Sequence, residues 1–212
     1  GNRITSISED SSGKVWIGTN KGLCTYNRDS DSFVRDLYNS EISSYFTFHN
    51  FINTIFIDAL DNIWLGTPEG LYNLKKSSKG FKLSVFKKGN QVDGLASNYI
   101  SCITQYKEGL LIGTPNGLNK LEFSDDDQVK ITRIKNNVIG SVNIKSLFVD
   151  SDLSIWVGTL NGLHKIETSI ENTFNFYTNY LAEIENSFAN NSIKTIHQVD
   201  SSTIWIGTLN SG

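Results

Sequence analysis

The stretch Asp10-Ser11-Ser12-Gly13-Lys14-Val15-Trp16-Ile17-Gly18-Thr19-Asn20-Lys21-Gly22-Leu23 decides the fold, because it recurs. Its core returns as Trp64-Leu65-Gly66-Thr67, Leu111-Ile112-Gly113-Thr114, Trp156-Val157-Gly158-Thr159 and Trp205-Ile206-Gly207-Thr208. The glycines stand at 18, 66, 113, 158 and 207, in steps of 48, 47, 45 and 49 residues. Upstream of each runs an apolar pair: Ile4 and Ile7, Ile52 and Ile55, Ile100 and Ile103, Ile144 and Leu147, Ile193 and Ile196. The first of each pair precedes its glycine by 14 residues, except in the third repeat, where the gap is 13. Gly-Leu follows in four copies, at Gly22, Gly70, Gly117 and Gly162.

Each unit reads as four strands. The first alternates apolar and polar residues. A turn rich in Asp, Ser and Gly follows, whose residues bond their own backbone or accept left-handed conformations. The second strand is a continuous apolar run, which suits burial on both faces. A Gly-containing turn leads to strand three (Leu23 to Asn27 in the first unit). Strand four is expected at Phe33 to Leu37, Phe81 to Phe86, Val129 to Ile134 and Thr173 to Tyr177. Tyr180 to Phe188 has the pattern of a helical turn.

Four strands in a period of roughly 40–50 residues mark a propeller blade. The expected fold is all-β: a β-propeller segment of four complete four-stranded antiparallel blades plus the start of a fifth. It would be an open arc of a larger, seven-bladed propeller. The blades are expected near 1–38, 50–87, 98–135, 142–178 and 191–212, within a partial propeller covering 1–212. The repeated residues Trp16, Gly18, Trp64, Gly66, Gly113, Trp156, Gly158, Trp205 and Gly207 are scaffold in this reading. The indoles pack blade on blade, and each glycine admits a neighbouring backbone or ring. Leu111 breaks the pattern, so its blade should pack less area or be compensated by a neighbour.

Composition agrees. Of 212 residues, 38 % are apolar and 19 % charged, a globular mixture. The net charge of -3 offers no basic footprint for nucleic acid. No apolar run reaches the ~18 residues of a membrane span. The chain has no methionine, so a segment of a longer protein is expected, with its remaining blades elsewhere in the parent. An arc with exposed end faces is expected to self-associate. Cys24 and Cys102 lie roughly two repeats apart, and two buried thiols acting as small hydrophobes are expected.

The pattern Asp-x-x-Gly-x-Val-Trp-Ile-Gly-Thr-x-x-Gly-Leu, from Asp10 to Leu23, resembles the two-component regulator propeller repeat. Gly94-Leu95-Ala96-Ser97-Asn98-Tyr99-Ile100 is similar to that family's lead-in to its first strand. The resemblance covers the chain in five copies. It implies the periplasmic sensor region of a hybrid two-component regulator of Bacteroides-type bacteria. Two consecutive seven-bladed propellers, a β-sandwich, a membrane span, a histidine kinase and a DNA-binding response regulator are the implied whole, as a homodimer. Oligosaccharides are the implied ligands. The segment itself would have no catalytic activity.

The loop between strands two and three lies at the same end of a blade as the link to the next. That end is expected to carry Asn20, Lys21, Glu69, Asn116 and Asn161, with Tyr45, Phe46, His49, Tyr99 and Tyr180 from the links. Aromatic rings beside amides and charges suit a sugar. Asp125-Asp126-Asp127 is read as a solvated turn, since calcium needs six to eight converging oxygens. His49, His164 and His197 lack metal-ligand spacing, and His197 is expected to be a packed core residue. No cofactor or metal is implied. The segment also resembles the Asp-box of sialidase propellers, through Ser8-Glu9-Asp10 and Gly13 to Trp16, with one residue more. A propeller lyase or glycosidase fragment and a protein–protein scaffold are the competing readings.

Overall fold

The computed structural model describes residues 3–34, 51–78, 80–89, 94–124, 128–134, 142–168, 174–179 and 192–209. All regular structure among them is β-strand. The first blade is β1 (Ile4–Glu9), β2 (Val15–Thr19), β3 (Gly22–Asn27) and β4 (Ser32–Val34). The second is β5 (Thr54–Ile57), β6 (Ile63–Thr67), β7 (Gly70–Ser77) and β8 (Gly80–Phe86). The third is β9 (Cys102–Tyr106), β10 (Gly109–Thr114), β11 (Gly117–Phe123) and β12 (Val129–Arg133). The fourth is β13 (Ile144–Val149), β14 (Ile155–Thr159), β15 (Gly162–Thr168) and β16 (Phe174–Asn179). A hairpin, β17 (Ile193–Asp200) and β18 (Thr203–Thr208), begins a fifth. Each full blade is a four-stranded sheet in sequential order, so the β-propeller reading stands. The expected helical turn at Tyr180 to Phe188, and residues 35–37 of the first strand four, lie outside the described residues.

The chain forms two compact units. The first comprises Gly1–Lys88 with Ser97–Ile103. Here β2 is buried along nearly its whole length and β6 throughout, as the apolar runs require. The Trp16 indole meets the ring of Phe81 on the next blade edge-on, centroids 5.8 Å apart. Around them pack Leu23, Ile52, Ile55, Ile63, Leu65 and Leu74. Burying roughly 200 Å² of indole is worth on the order of 5 kcal/mol at ~25 cal/mol per Å². Gly18 makes this approach possible. A Cβ there would sit 2.8 Å from Cγ2 of Ile52. The Ile52 amide then donates to the Thr19 carbonyl (3.0 Å), and Thr5 Oγ1 donates to the Ile52 carbonyl (2.5 Å). Gly66 repeats the arrangement against Ile100, whose amide donates to the Thr67 carbonyl (2.9 Å). The glycines therefore admit an isoleucine side chain from the following repeat, and not the backbone or ring expected from sequence. Cys24 and Cys102 are joined in no disulfide and are half-buried, not fully buried as expected, with the Cys24 thiol donating to the Ile17 carbonyl at 3.6 Å. Cys24 lies on β3, opposite Ile17, and Cys102 opens β9.

The second unit comprises Gly89–Ala96 with Thr104–Gly212. Its Trp156 packs with Leu163, Ile193, Ile196, Ile204 and Ile206. Gly158 faces Ile193, as Gly18 faces Ile52. The lead-in Gly94-Leu95-Ala96 is tied to the third blade. Asn119, fully buried on β11, accepts from the Ala96 amide (3.1 Å) and donates to the Gly94 carbonyl (3.1 Å). Arg133 at the end of β12 donates to the carbonyls of Gly89 (2.5 Å) and Leu95 (2.9 Å). Leu111 loses no burial for being small, since it is fully enclosed. The missing ring contact is supplied by Tyr106, buried on β9, whose ring lies 6.2 Å from Phe174 of the fourth blade. That is the compensation the sequence left open.

Candidate functional site

The candidate turn residues owe their positions to the threonine of the repeat. Thr19, Thr67, Thr114 and Thr159 end the second strand of each blade. Each hydroxyl donates to the carbonyl of the glycine that opens strand three, at 2.8–2.9 Å. Each also accepts the amide of the residue before that glycine, at 3.0–3.1 Å. Those residues are Lys21, Glu69, Asn116 and Asn161. Their backbones are held and their side chains are exposed.

The register confirms where these turns lie. Ile4 pairs with Thr19 and Leu71 with Phe86, so strand one starts and strand four finishes at the turn end. In the first unit this end carries Asn20, Lys21, Glu69 and Tyr99, the last 41 % exposed. Asn20 is already engaged: its amide oxygen accepts from the Arg3 amide (3.0 Å). In the second unit the same end carries Asn116 and Asn161. Tyr45, Phe46, His49 and Tyr180 lie outside the described residues, as do Asp125 to Asp127. Among the described residues, no group of three or more His, Cys, Asp or Glu is placed to hold a metal. His164 is buried on β15. His197 is exposed on β17 and not packed in a core, contrary to expectation. Its neighbour Ile196 packs against the fourth blade, and alternation turns His197 to the opposite face of the strand.

The opposite end of the blades holds a feature that sequence reasoning missed. Asp10 Oδ2 accepts from the Trp16 indole N–H at 2.9 Å, Asp58 from Trp64 at 3.0 Å, and Asp150 from Trp156 at 2.8 Å. The other carboxylate oxygen of each accepts two turn amides, such as those of Leu60 and Asn62 for Asp58. One carboxylate thus shapes the turn and aims the indole. A constant spacing of six residues was its signal. In the first unit the turn tips also join: Ser11 donates from its amide (2.9 Å) and its hydroxyl to Asp61 of the next blade. In the second, the Ser151 amide donates to Gln198 (3.2 Å).

These bonds make stability depend on pH. Burial pushes the Asp10 carboxyl up, but hydrogen bonds from Ser12, the Trp16 indole and Lys14 outweigh it and hold it low. Ser11 holds Asp61 low, and Ser202 holds Asp200 low. A folded value below the unfolded one contributes stability above the unfolded value of about 3.9, and loses it as pH falls through the folded value. Burial pushes the His164 imidazole down. It favours the fold above its ordinary value of about 6.5 and opposes it as pH falls and the ring must be charged. Thermal unfolding is therefore expected to soften in two stages on acidification, first below about pH 6.5 and again below about pH 3.9. His164→Asn should remove only the first stage, and Asp10→Asn should shrink the second. Melting curves across this range check both.

Residues 1–21 match the family described as two component regulator propeller. The chain is 30 % identical over 132 residues to Histidine kinase P4 of Formosa agariphila, covering 60 % of this chain and 9 % of that protein. It is similar to the extracellular domain of what is described as a hybrid two component system of B. thetaiotaomicron. The TM-score is 0.68 at 21 % identity, over 98 % of this chain and 25 % of that one. It is also similar to virginiamycin B lyase from Staphylococcus aureus, with a TM-score of 0.62 at 13 % identity, over 96 % of this chain and 62 % of that one. At such identities the two structural likenesses speak for the fold alone. The chain spans a small part of the histidine kinase relative. The family model matches the first repeat, and four further copies of the same motif build the blades that follow it.

Proposed function

We propose that this chain is part of the extracytoplasmic ligand-sensing region of a hybrid two-component regulator. The observation that carries the proposal is the family match at residues 1–21, in register with four further copies. The relative named as a histidine kinase and the extracellular domain of B. thetaiotaomicron support it. In this reading the chain senses an oligosaccharide from the periplasm and does no chemistry itself. The signal passes to a cytoplasmic histidine kinase and a DNA-binding regulator in the parent, which acts as a homodimer and supplies the remaining blades. The turn end of each unit is a proposed contact surface: Lys21 and Glu69 in the first unit, and Asn116 and Asn161 in the second, stand exposed on backbones fixed by threonine, so side chains are presented without loop freedom. Function grafted on rigid loops is common in such scaffolds.

The test is a transcriptional reporter under the intact parent regulator, screened with a panel of oligosaccharides. At least one glycan should induce it. Simultaneous alanine replacement of the four turn residues should abolish induction while leaving receptor level unchanged. Full induction in that variant would remove the turn end from the site, and silence toward every glycan would remove the sugar. The lyase reading rests on a fold likeness at 13 % identity, and no observation here favours it.

A further inference from the structure

The first and last repeats carry the two halves of one joint. Inside the chain, the glycine of one repeat receives the isoleucine that opens the next: Ile52 over Gly18, Ile100 over Gly66 and Ile193 over Gly158. A Cβ on these glycines would stand 2.7–2.8 Å from the isoleucine Cγ2. All three isoleucines are fully buried.

The fifth repeat has the glycine without the isoleucine. Among the described residues, a Cβ at Gly207 would meet only Thr195 of its own hairpin, with Cγ2 at 2.6 Å and Cβ at 4.0 Å. Thr54 stands beside Gly66 at the same 2.6 Å, so the hairpin side of the notch is built as in the second blade. Its isoleucine side is open. The first repeat shows the reverse. Ile4 pairs with Thr19 as Ile193 pairs with Thr208, yet it is 53 % exposed.

The surroundings of each half follow the internal joint as well. Between the first two blades, Trp16 shares a cluster with Ile52 and Ile55, against which Leu83 packs. By register, Ile7 (opposite Ile17) holds the place of Ile55 (opposite Leu65). Phe33, opposite Tyr26, holds that of Leu83, opposite Leu74. Ile7 and Phe33 are 62 % and 66 % exposed, and Trp205, in the place of Trp16, is 67 % exposed. One end therefore displays the seat of an indole, and the other displays the indole. A partner must bring an isoleucine for the notch or a bare α-carbon for the knob, and a second copy brings both.

We infer that copies of this chain join head to tail, with Ile4 of one copy over Gly207 of the next and Trp205 seated on Ile7 and Phe33. The sequence leads one to expect association, and the glycine and isoleucine give it a direction. The contact is heterologous, because knob and notch lie in different repeats. Each added copy leaves one half-joint open. An indole seated in this way buries roughly 200 Å².

Sedimentation velocity of the 212-residue chain tests this. The native chain should pass from monomer to species larger than a dimer as its concentration rises. Ile4→Glu charges the knob and Trp205→Lys charges the indole position, and each should weaken association at least about tenfold. Mixed in equal amounts, the two variants should form a one-to-one dimer and stop there. Ile4 of the Trp205→Lys chain enters the intact notch of the Ile4→Glu chain, and only the damaged halves remain. Filling the notch gives a second reading. Thr195→Ala removes the Cγ2 that a methyl at residue 207 would meet, so Gly207→Ala in that background blocks Ile4 without crowding the hairpin. The double variant should lose association, and Thr195→Ala alone should keep it. Circular dichroism should show the fold unchanged in each variant. The inference is overturned if the native chain stays monomeric, or if either charged variant alone associates as strongly as the native chain, which would mean that like ends meet. It also fails if the mixture forms no dimer, or if the filled notch associates as the native chain does.

Discussion

Among the glycines that face an isoleucine of the following repeat, Gly158→Ala should be the most damaging single-methyl change, with Gly66→Ala close behind. A Cβ at residue 158 would stand 2.2 Å from Ser146 Oγ and 2.7 Å from Cγ2 of Ile193. At residue 66 it would stand 2.6 Å from Cγ2 of Thr54 and 2.8 Å from that of Ile100. Ile100 and Ile193 are fully buried, and their amide or carbonyl groups bond across the same joint, so they have no room to retreat. Overpacking of this kind typically costs about 1–3 kcal/mol, and occasionally more. Values at or above ~3 kcal/mol are expected here, because the added methyl also breaks the joint between consecutive repeats. Gly80→Ala is the control for backbone context: nothing lies within 4 Å of its Cβ, although its φ of 118° carries its own strain. Urea unfolding of the three variants gives the ranking. Equal costs at Gly158 and Gly80 would show that conformation, and not the crowded joint, governs these glycines.

Trp64→Ala and Trp205→Ala should behave as opposites, although the two tryptophans occupy the same place in the repeat. Trp64 is 1 % exposed, its N–H held by Asp58 and its ring 6.1 Å from Phe86 in near-parallel stacking. Removing it leaves a cavity and takes one of the donors from the half-buried Asp58 carboxylate, which keeps Asn62, and a loss of about 3–5 kcal/mol is expected. Trp205 is 67 % exposed, and changes at such positions usually fall within about ±0.5 kcal/mol. Its effect should appear in association. Trp205 on β18, and Ile4 and Ile7 on β1 at 53 % and 62 % exposure, are apolar positions that other repeats bury. These are the faces inferred above to join copies of the isolated chain. Sedimentation velocity should show concentration-dependent oligomers that Trp205→Lys reduces. A strict monomer at every concentration would refute this, as would a Trp64→Ala protein as stable as the parent.

Much of this architecture was legible because its information is local and repeated. Alternating and continuous apolar runs, separated by Asp- and Gly-containing turns, are readable one repeat at a time, and five copies average out the noise of any one. The Thr-Gly turn could be read for the same reason. What escaped was a bond between two residues each already given a role. Asp58 reads as a turn residue and Trp64 as core, and neither role by itself points to the other. The absence of the pair from the third repeat, where both partners vanish together, was the clue. His197 was misplaced for a different reason. Alternation names the residues of one face, but whether that face meets another sheet is not a property of the strand.

The sequence alone therefore determined the four-stranded unit, the order of its strands and the residues that recur as scaffold. Tertiary structure decided what each recurring residue touches. It gave the bare α-carbons of Gly18, Gly66 and Gly158 to isoleucines 34 or 35 residues further on. It let Tyr106 stand in for an absent indole, and left Gly207 with no isoleucine over it among the described residues. The physical reason is the range of the forces. Strand formation and turn geometry follow from neighbours in the chain, whereas packing depends on side chains that the fold brings together from different repeats.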